Sequence, residues 1–142
     1  MRFWDTSALV PLVIAEPESA RAQRWLREDS AVVVWTLARV ELCSALARRR
    51  RVEPRAARKL ATARREIFAA WERWTEVTAV DVVRRHAERL VETHPLRAAD
   101  ALQLAAALVA AEDRPGSLTF VTLDHQQAAA AEREGFAVLG PA

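Results

Sequence analysis

Four acids scattered along the chain, Asp5, Glu41, Asp100 and Asp124, are the residues with the clearest chemical potential. Asp100 sits in the run Ala98-Ala99-Asp100-Ala101-Leu102, and Glu41 stands between Val40 and Leu42. A carboxylate among such neighbours is expensive to desolvate unless something pairs with it. Several carboxylates held close together repel one another, and their pKa values rise unless a cation is present. Mg²⁺ or Mn²⁺ resolves that conflict, because hard divalent ions take carboxylate oxygens, waters and phosphate oxygens. The matching chemistry is metal-assisted hydrolysis of a phosphodiester. Each acid also has a plainer reading. Asp5 and Asp124 are at home in turns and helix caps, Asp100 has Arg97 near it in sequence, and Glu41 has a supply of arginines.

Other reactive types give weaker patterns. His86, His94 and His125 are too dispersed for a metal triad, and His125 is expected to have a structural or solvent role. Ser7 lacks a Gly-x-Ser-x-Gly elbow. Gly116, Gly135 and Gly140 form no phosphate-binding glycine loop. Cys43 is expected in the core, where a thiol behaves as a small hydrophobe. Trp25, Trp71 and Trp74 are expected to fill a core or a dimer interface.

The acids gain meaning from the elements around them. Arg2-Phe3-Trp4 reads as a short strand ending in the turn and cap residues Asp5-Thr6-Ser7. Pro17 opens a helix to about Asp29, followed by the β-branched strand 31–35, the pattern of a strand buried on both faces. Thr36 is a fitting N-cap for a helix from Leu37 to about Arg50. Pro54 opens another, with Leu60, Ile67, Trp71 and Trp74 on one stripe. Residues 76–80 read as a strand. Asp81 then caps a helix whose inner face takes Val83, Ala87, Leu90 and Val91. An alanine-rich helix spans 98–111, a strand 117–122, a helix 126–134 stopped by Gly135, and a last strand 136–139. Strands separated by helices predict an α/β fold of three layers, α/β/α, with a mainly parallel sheet of about five strands. Ligands of such sheets bind beyond the carboxyl ends of the strands, the end toward which all four acids can point.

Composition bounds the rest. The 142 residues fit one domain, 1–142, and the 51% apolar content suits a globular core. One cysteine excludes an internal disulfide and a cysteine-based zinc site, which makes the cytoplasm the expected compartment. No run of about 18 apolar residues is available for a membrane helix, and the N-terminus meets an acid and a proline too early for a secretory signal. The net charge of +2 conceals an asymmetry. Residues 48–65 hold nine basic residues against Glu53 alone, a net +8, so the remainder carries −6. A basic segment on an acidic body points to an anionic partner, nucleic acid above all, or to a merely solvated helix face.

Four stretches stand in order along the chain: Phe3-Trp4-Asp5-Thr6-Ser7-Ala8-Leu9, Val40-Glu41-Leu42 with Ser44-Ala45-Leu46, Leu96 to Ala105 around Asp100, and Phe120-Val121-Thr122-Leu123-Asp124 followed by Ala128-Ala129-Ala130 and Gly135-Phe136. Together they resemble the PIN-domain ribonucleases, and in particular the VapC-type toxins of toxin–antitoxin pairs. The resemblance implies a Mg²⁺- or Mn²⁺-dependent endoribonuclease, a homodimer, and neutralisation by a cognate VapB-type antitoxin. It assigns Asp5, Glu41, Asp100 and Asp124 to the acidic site. Asp5 and Asp100 are the direct metal ligands, Glu41 ligates or positions a water, and Asp124 ligates directly or through water. Thr6, Ser7 and Thr122 support them as hydroxyls. Ala128 stands where some relatives carry a further acid or amide, which leaves a second metal position open. Two alternatives belong to other classes. One is a non-catalytic nucleic-acid-binding protein that uses residues 48–65. The other is an aspartyl-phosphate module, which here lacks both the second aspartate of an Asp-x-Asp start and a lysine outside the basic segment.

Overall fold

The computed structural model describes residues 1–142. The elements run β1 (Arg2–Trp4), α1 (Thr6–Val13), α2 (Ser19–Glu28), β2 (Val32–Trp35), α3 (Ala38–Val52) and α4 (Ala57–Trp71). They continue with β3 (Thr75–Val77), α5 (Val80–Thr93), α6 (Ala98–Ala110), β4 (Thr119–Val121), α7 (His125–Arg133) and β5 (Ala137–Leu139). All five strands are parallel, in the order β3-β2-β1-β4-β5. β1 lies at the centre, with Phe3 in register with Val33 on one side and Phe120 on the other.

The chain moves outward from β1 through β2 to β3, then returns to the other side of β1 for β4 and β5. With right-handed crossovers, this reversal puts α1–α4 on one face and α5–α7 on the other. It also opens a switch point between β1 and β4, where the connections leaving the two strands diverge. The continuous apolar run at 32–35 is buried at every position, as a central strand covered by two layers requires. α6 is alanine-rich because it packs closely on the sheet: Ala101, Ala105, Ala106 and Ala107 are all fully buried.

Several boundaries differ from the sequence expectation. Of the turn and cap residues expected at Asp5-Thr6-Ser7, Asp5 is the N-cap position of α1, and Thr6 and Ser7 begin that helix, which no periodicity announced. Thr6–Val13 carries no charge, is apolar on most sides and contains Pro11, so it shows no amphipathic stripe. α2 starts at Ser19 rather than Pro17; the Ser19 hydroxyl accepts from the Glu16 N–H (2.9 Å) and donates to the Ile14 carbonyl (3.2 Å). Thr36 does not cap α3, whose N-cap position falls on Leu37. β3 ends at Val77, and Asp81 lies inside the first turn of α5 instead of capping it. Val91 is exposed, outside the inner face formed by Val83, Ala87 and Leu90. Cys43 is only half-buried. It faces a crevice between α3 and α4, where the Arg64 guanidinium stands 3.8 Å from its sulfur.

The α3–α4 hairpin expected between the second and third strands is present. Leu60, Ile67 and Trp71 form its buried stripe, with Trp74 half-buried just beyond the end of α4. Trp25 is buried as well. Gly135 closes α7 at φ 101°, a left-handed conformation that glycine adopts without steric cost.

Candidate active site

Each of the four acids stands at the N-terminal end of a different helix. Asp5 and Asp124 occupy the N-cap positions of α1 and α7, and Glu41 and Asp100 lie in the first turns of α3 and α6. A helix N-terminus carries partial positive charge, so each carboxylate is placed where the backbone favours it. All four line one cavity of about 460 Å³ at the switch point, together with Thr6 and Ser7. The structure therefore brings together residues separated by up to 119 positions in sequence.

Asp5 is the most deeply set, only 3% exposed. Its Oδ2 accepts from the Ser7 hydroxyl at 2.6 Å and the Thr122 hydroxyl at 2.8 Å. Each hydroxyl has a single proton, and both protons are spent on this one oxygen. The hydroxyl oxygens accept in turn, Ser7 from the Leu123 N–H (2.9 Å) and Thr122 from the Asp124 N–H (3.1 Å). The loop after β4 is thus tied to the loop after β1 through the Asp5 carboxylate. The Asp5 N–H closes the same joint by donating to the Val121 carbonyl at 2.9 Å.

Burial pushes the Asp5 carboxyl from its ordinary 3.8 up to about 6; the two hydroxyls pull it down, and Asp100 and Glu41 add upward repulsion. Glu41 is raised by burial, an effect that polar contacts with Thr6 and Gln103 partly offset and Asp100 reinforces. Asp100 is raised by burial first and by Asp124 second, against a lowering pull from Arg97. The acids sense one another electrostatically. No three His, Cys, Asp or Glu side chains stand close enough to grip one ion as a closed cage. The donor set, all carboxylates and hydroxyls around an open cavity, fits a hard divalent cation.

Two further residues support the acids and escaped notice in sequence. Gln103, fully buried on α6, donates its amide to the Thr6 hydroxyl at 2.7 Å. Gln127, fully buried on α7, donates its side-chain amide to the Asp100 carbonyl (3.0 Å), while its backbone N–H caps onto Asp124 Oδ1 (2.8 Å). Each glutamine stands three residues after a site acid and inside an alanine-rich run, a signal open to reading once helix faces are drawn. Asp124 therefore performs the capping expected of it in the plainer reading while also lining the cavity. Of the histidines, His125 is exposed beside Asp124, His86 faces Asp113 at 3.4 Å, and His94 is buried 3.7 Å from Glu134. They do not meet. Ala128 is buried, with no polar group to offer a second ion.

A central parallel sheet with carboxylates gathered at its switch point defines the class, and a family model described as the PIN domain matches residues 2–133. The chain belongs to the PIN-domain family, in its VapC-type branch. It is similar to Ribonuclease VapC45 and Ribonuclease VapC49, from two strains of Mycobacterium tuberculosis. Each is 33% identical over 119 residues, covering 84% of this chain and 81% of the relative. Among solved structures, FitAcB from Neisseria gonorrhoeae aligns with TM-score 0.59 at 18% identity, over 98% of this chain and 96% of that one. PAE2754 from Pyrobaculum aerophilum gives 0.60 at 22% identity, over 96% and 81%. FitAB bound to an IR36 DNA fragment gives 0.62 at 20%, over 99% and 95%. These structural likenesses bear on the fold.

Proposed function

We propose that this chain is an endoribonuclease toxin of VapC type that hydrolyses RNA phosphodiester bonds with Mg²⁺ or Mn²⁺. One observation carries the reading: four carboxylates from four elements converge on one cavity, and three of them have raised pKa values. A fold that keeps carboxylates raised by burial first and by mutual repulsion second has a use for a cation. The ribonuclease names of the VapC-type relatives supply the substrate class.

Asp5 and Asp100 would hold the ion, with Asp124 binding directly or through water. When bound, the ion neutralises charge on the phosphodiester and acidifies water. Ser7 and Thr122 fix the Asp5 carboxylate by occupying one of its oxygens, which leaves the other free to face the cavity. Glu41 orients the attacking water and takes up its proton; a carboxylate with a raised pKa is a better acceptor than an ordinary one. The water oxygen forms the new bond to phosphorus as the P–O bond to the ribose breaks, and the leaving ribose oxygen takes a proton from solvent water.

The reading extends to a cognate VapB-type antitoxin, a homodimer, a cytoplasmic location and one PIN domain over residues 1–142. No helix is long and apolar enough to cross a membrane. The test is cleavage of total RNA that stops with EDTA, returns with Mn²⁺, and is lost in Asp5→Asn and Asp100→Asn variants that melt cooperatively. The rival, a non-catalytic nucleic-acid binder, draws on the exposed arginines of the α3–α4 hairpin. Salt-sensitive RNA binding with no metal-dependent turnover would favour it.

A further inference from the structure

Twelve residues line the acidic cavity, and Arg48 is the one cation among them. It lies seven residues after Glu41, two turns along the same face of α3, with Ser44 between them. Arg48 is exposed and pairs with none of these acids: no carboxylate comes within 4.0 Å of it, and its hydrogen bond goes to the Ser44 hydroxyl at 3.3 Å. Its sequence neighbour behaves in the opposite way. Arg49 is spent on two acids, Glu16 at 3.7 Å and Glu53 at 3.5 Å.

The cavity does not end at Arg48. A second hollow of about 520 Å³ adjoins it and shares Val10, Ala45 and Arg48 as walls. It runs between α1 and α3 past Ile14 and Val52, and the Glu16–Arg49 pair borders it. The groove thus starts at the acids, passes one unpaired guanidinium and continues over apolar side chains. A single strand of RNA can lie along such surfaces, with a charge for its phosphate and aliphatic side chains beside its sugars and bases.

We propose that Arg48 clamps the phosphate next to the one cleaved, and that the α1–α3 groove beyond it carries the continuing RNA strand. This rests on the nuclease reading above. A guanidinium makes paired hydrogen bonds to phosphate oxygens, and the Ser44 contact uses only one of this one's donors. Leaving Arg48 without a carboxylate partner keeps it available to substrate in a cavity where an ion pair would have cancelled it.

The test measures fluorescence anisotropy of a labelled random-sequence RNA of roughly 12 nucleotides. EDTA prevents turnover, and the salt concentration is varied. Arg48→Gln should weaken binding roughly tenfold and make the slope of log affinity against log salt shallower by about 0.7, the value for one contact to a single strand. Arg48→Lys should keep the slope, and Arg85→Gln, exposed on α5 on the opposite face of the sheet, should change neither quantity. An Arg48→Gln slope equal to wild type overturns the proposal. So does an Arg48→Gln effect confined to a labelled octaglutamate probe, which would assign the groove to an acidic protein segment. Wild-type protein that binds the RNA with an Arg48-dependent slope but never cleaves it with Mn²⁺ breaks the nuclease reading and overturns the placement of the clamp beside a cleaved phosphate, leaving only an RNA contact at Arg48. Wild-type protein that binds no RNA overturns both.

Discussion

The two ends of α3 hold charge in opposite ways. At its N-terminus, Glu41 joins three other acids in a half-buried cavity, where burial and mutual repulsion raise pKa values. At its C-terminus, Arg49, Arg50 and Arg51 lie in the last turn, where the helix dipole favours cations. The adjoining hairpin keeps Arg55, Arg58, Lys59, Arg64 and Arg65 exposed. Charge at the first end is held against its own desolvation, whereas charge at the second is solvated and nearly free of cost. Retained strain points to a job, and solvated charge is compatible with none. The acids are therefore the stronger functional signal, although the basic segment dominates the charge count.

The largest expected effect comes from breaking the strained end. Asp5→Asn or Asp100→Asn should lower Mn²⁺-dependent RNA cleavage by more than the ~10–100-fold that follows loss of a residue merely orienting a ligand. Single-turnover cleavage of a labelled RNA checks this.

The second prediction concerns stability in EDTA. Asp5 has a folded-state pKa raised from 3.8 to about 6, so the native state holds its proton more tightly than the unfolded state does. Its contribution is fully present below about pH 4 and is lost as pH rises through about 6. Urea unfolding of wild type against Asp5→Asn should show the variant gaining in relative stability over that window. A gain approaching about 3 kcal/mol is the upper bound set by two pKa units. A flat difference across the window would show that Asp5 is not strained.

A smaller effect is expected at the joint between the two loops. Thr122→Val removes one of the two hydroxyl protons on Asp5 and the acceptor for the Asp124 N–H. A loss of roughly 10–100-fold in cleavage is expected, with Ser7→Ala similar. If both variants keep full activity, Asp5 needs no orienting.

The smallest effects belong to the solvated end. Arg55→Ser and Arg58→Ser should leave stability within about 0.5 kcal/mol of wild type in chemical denaturation. A larger loss would mean that the hairpin charge is structural after all.

How legible this was depends on the element. The order of strands and the long hairpin could be read, because buried parallel strands are continuous β-branched runs and α4 has a clear apolar stripe. α1 could not, because a helix that is apolar on most sides and interrupted by Pro11 has no period to detect. The acids stood out because carboxylates beside alanine and leucine are chemically costly. Gln103 and Gln127 did not, since a neutral amide among alanines carries little penalty until its burial is known. Arg48 was lost in the count of a basic run, and only the geometry of α3 separates it from Arg49.

The most direct test of the central claim, that the four acids form a divalent-cation site, is a calorimetric titration of the protein with Mn²⁺ near pH 7, repeated on Asp100→Asn. Saturable binding by wild type, weakened at least about tenfold in the variant, is the predicted result. No saturable binding by wild type, or equal affinity in Asp100→Asn, would contradict it.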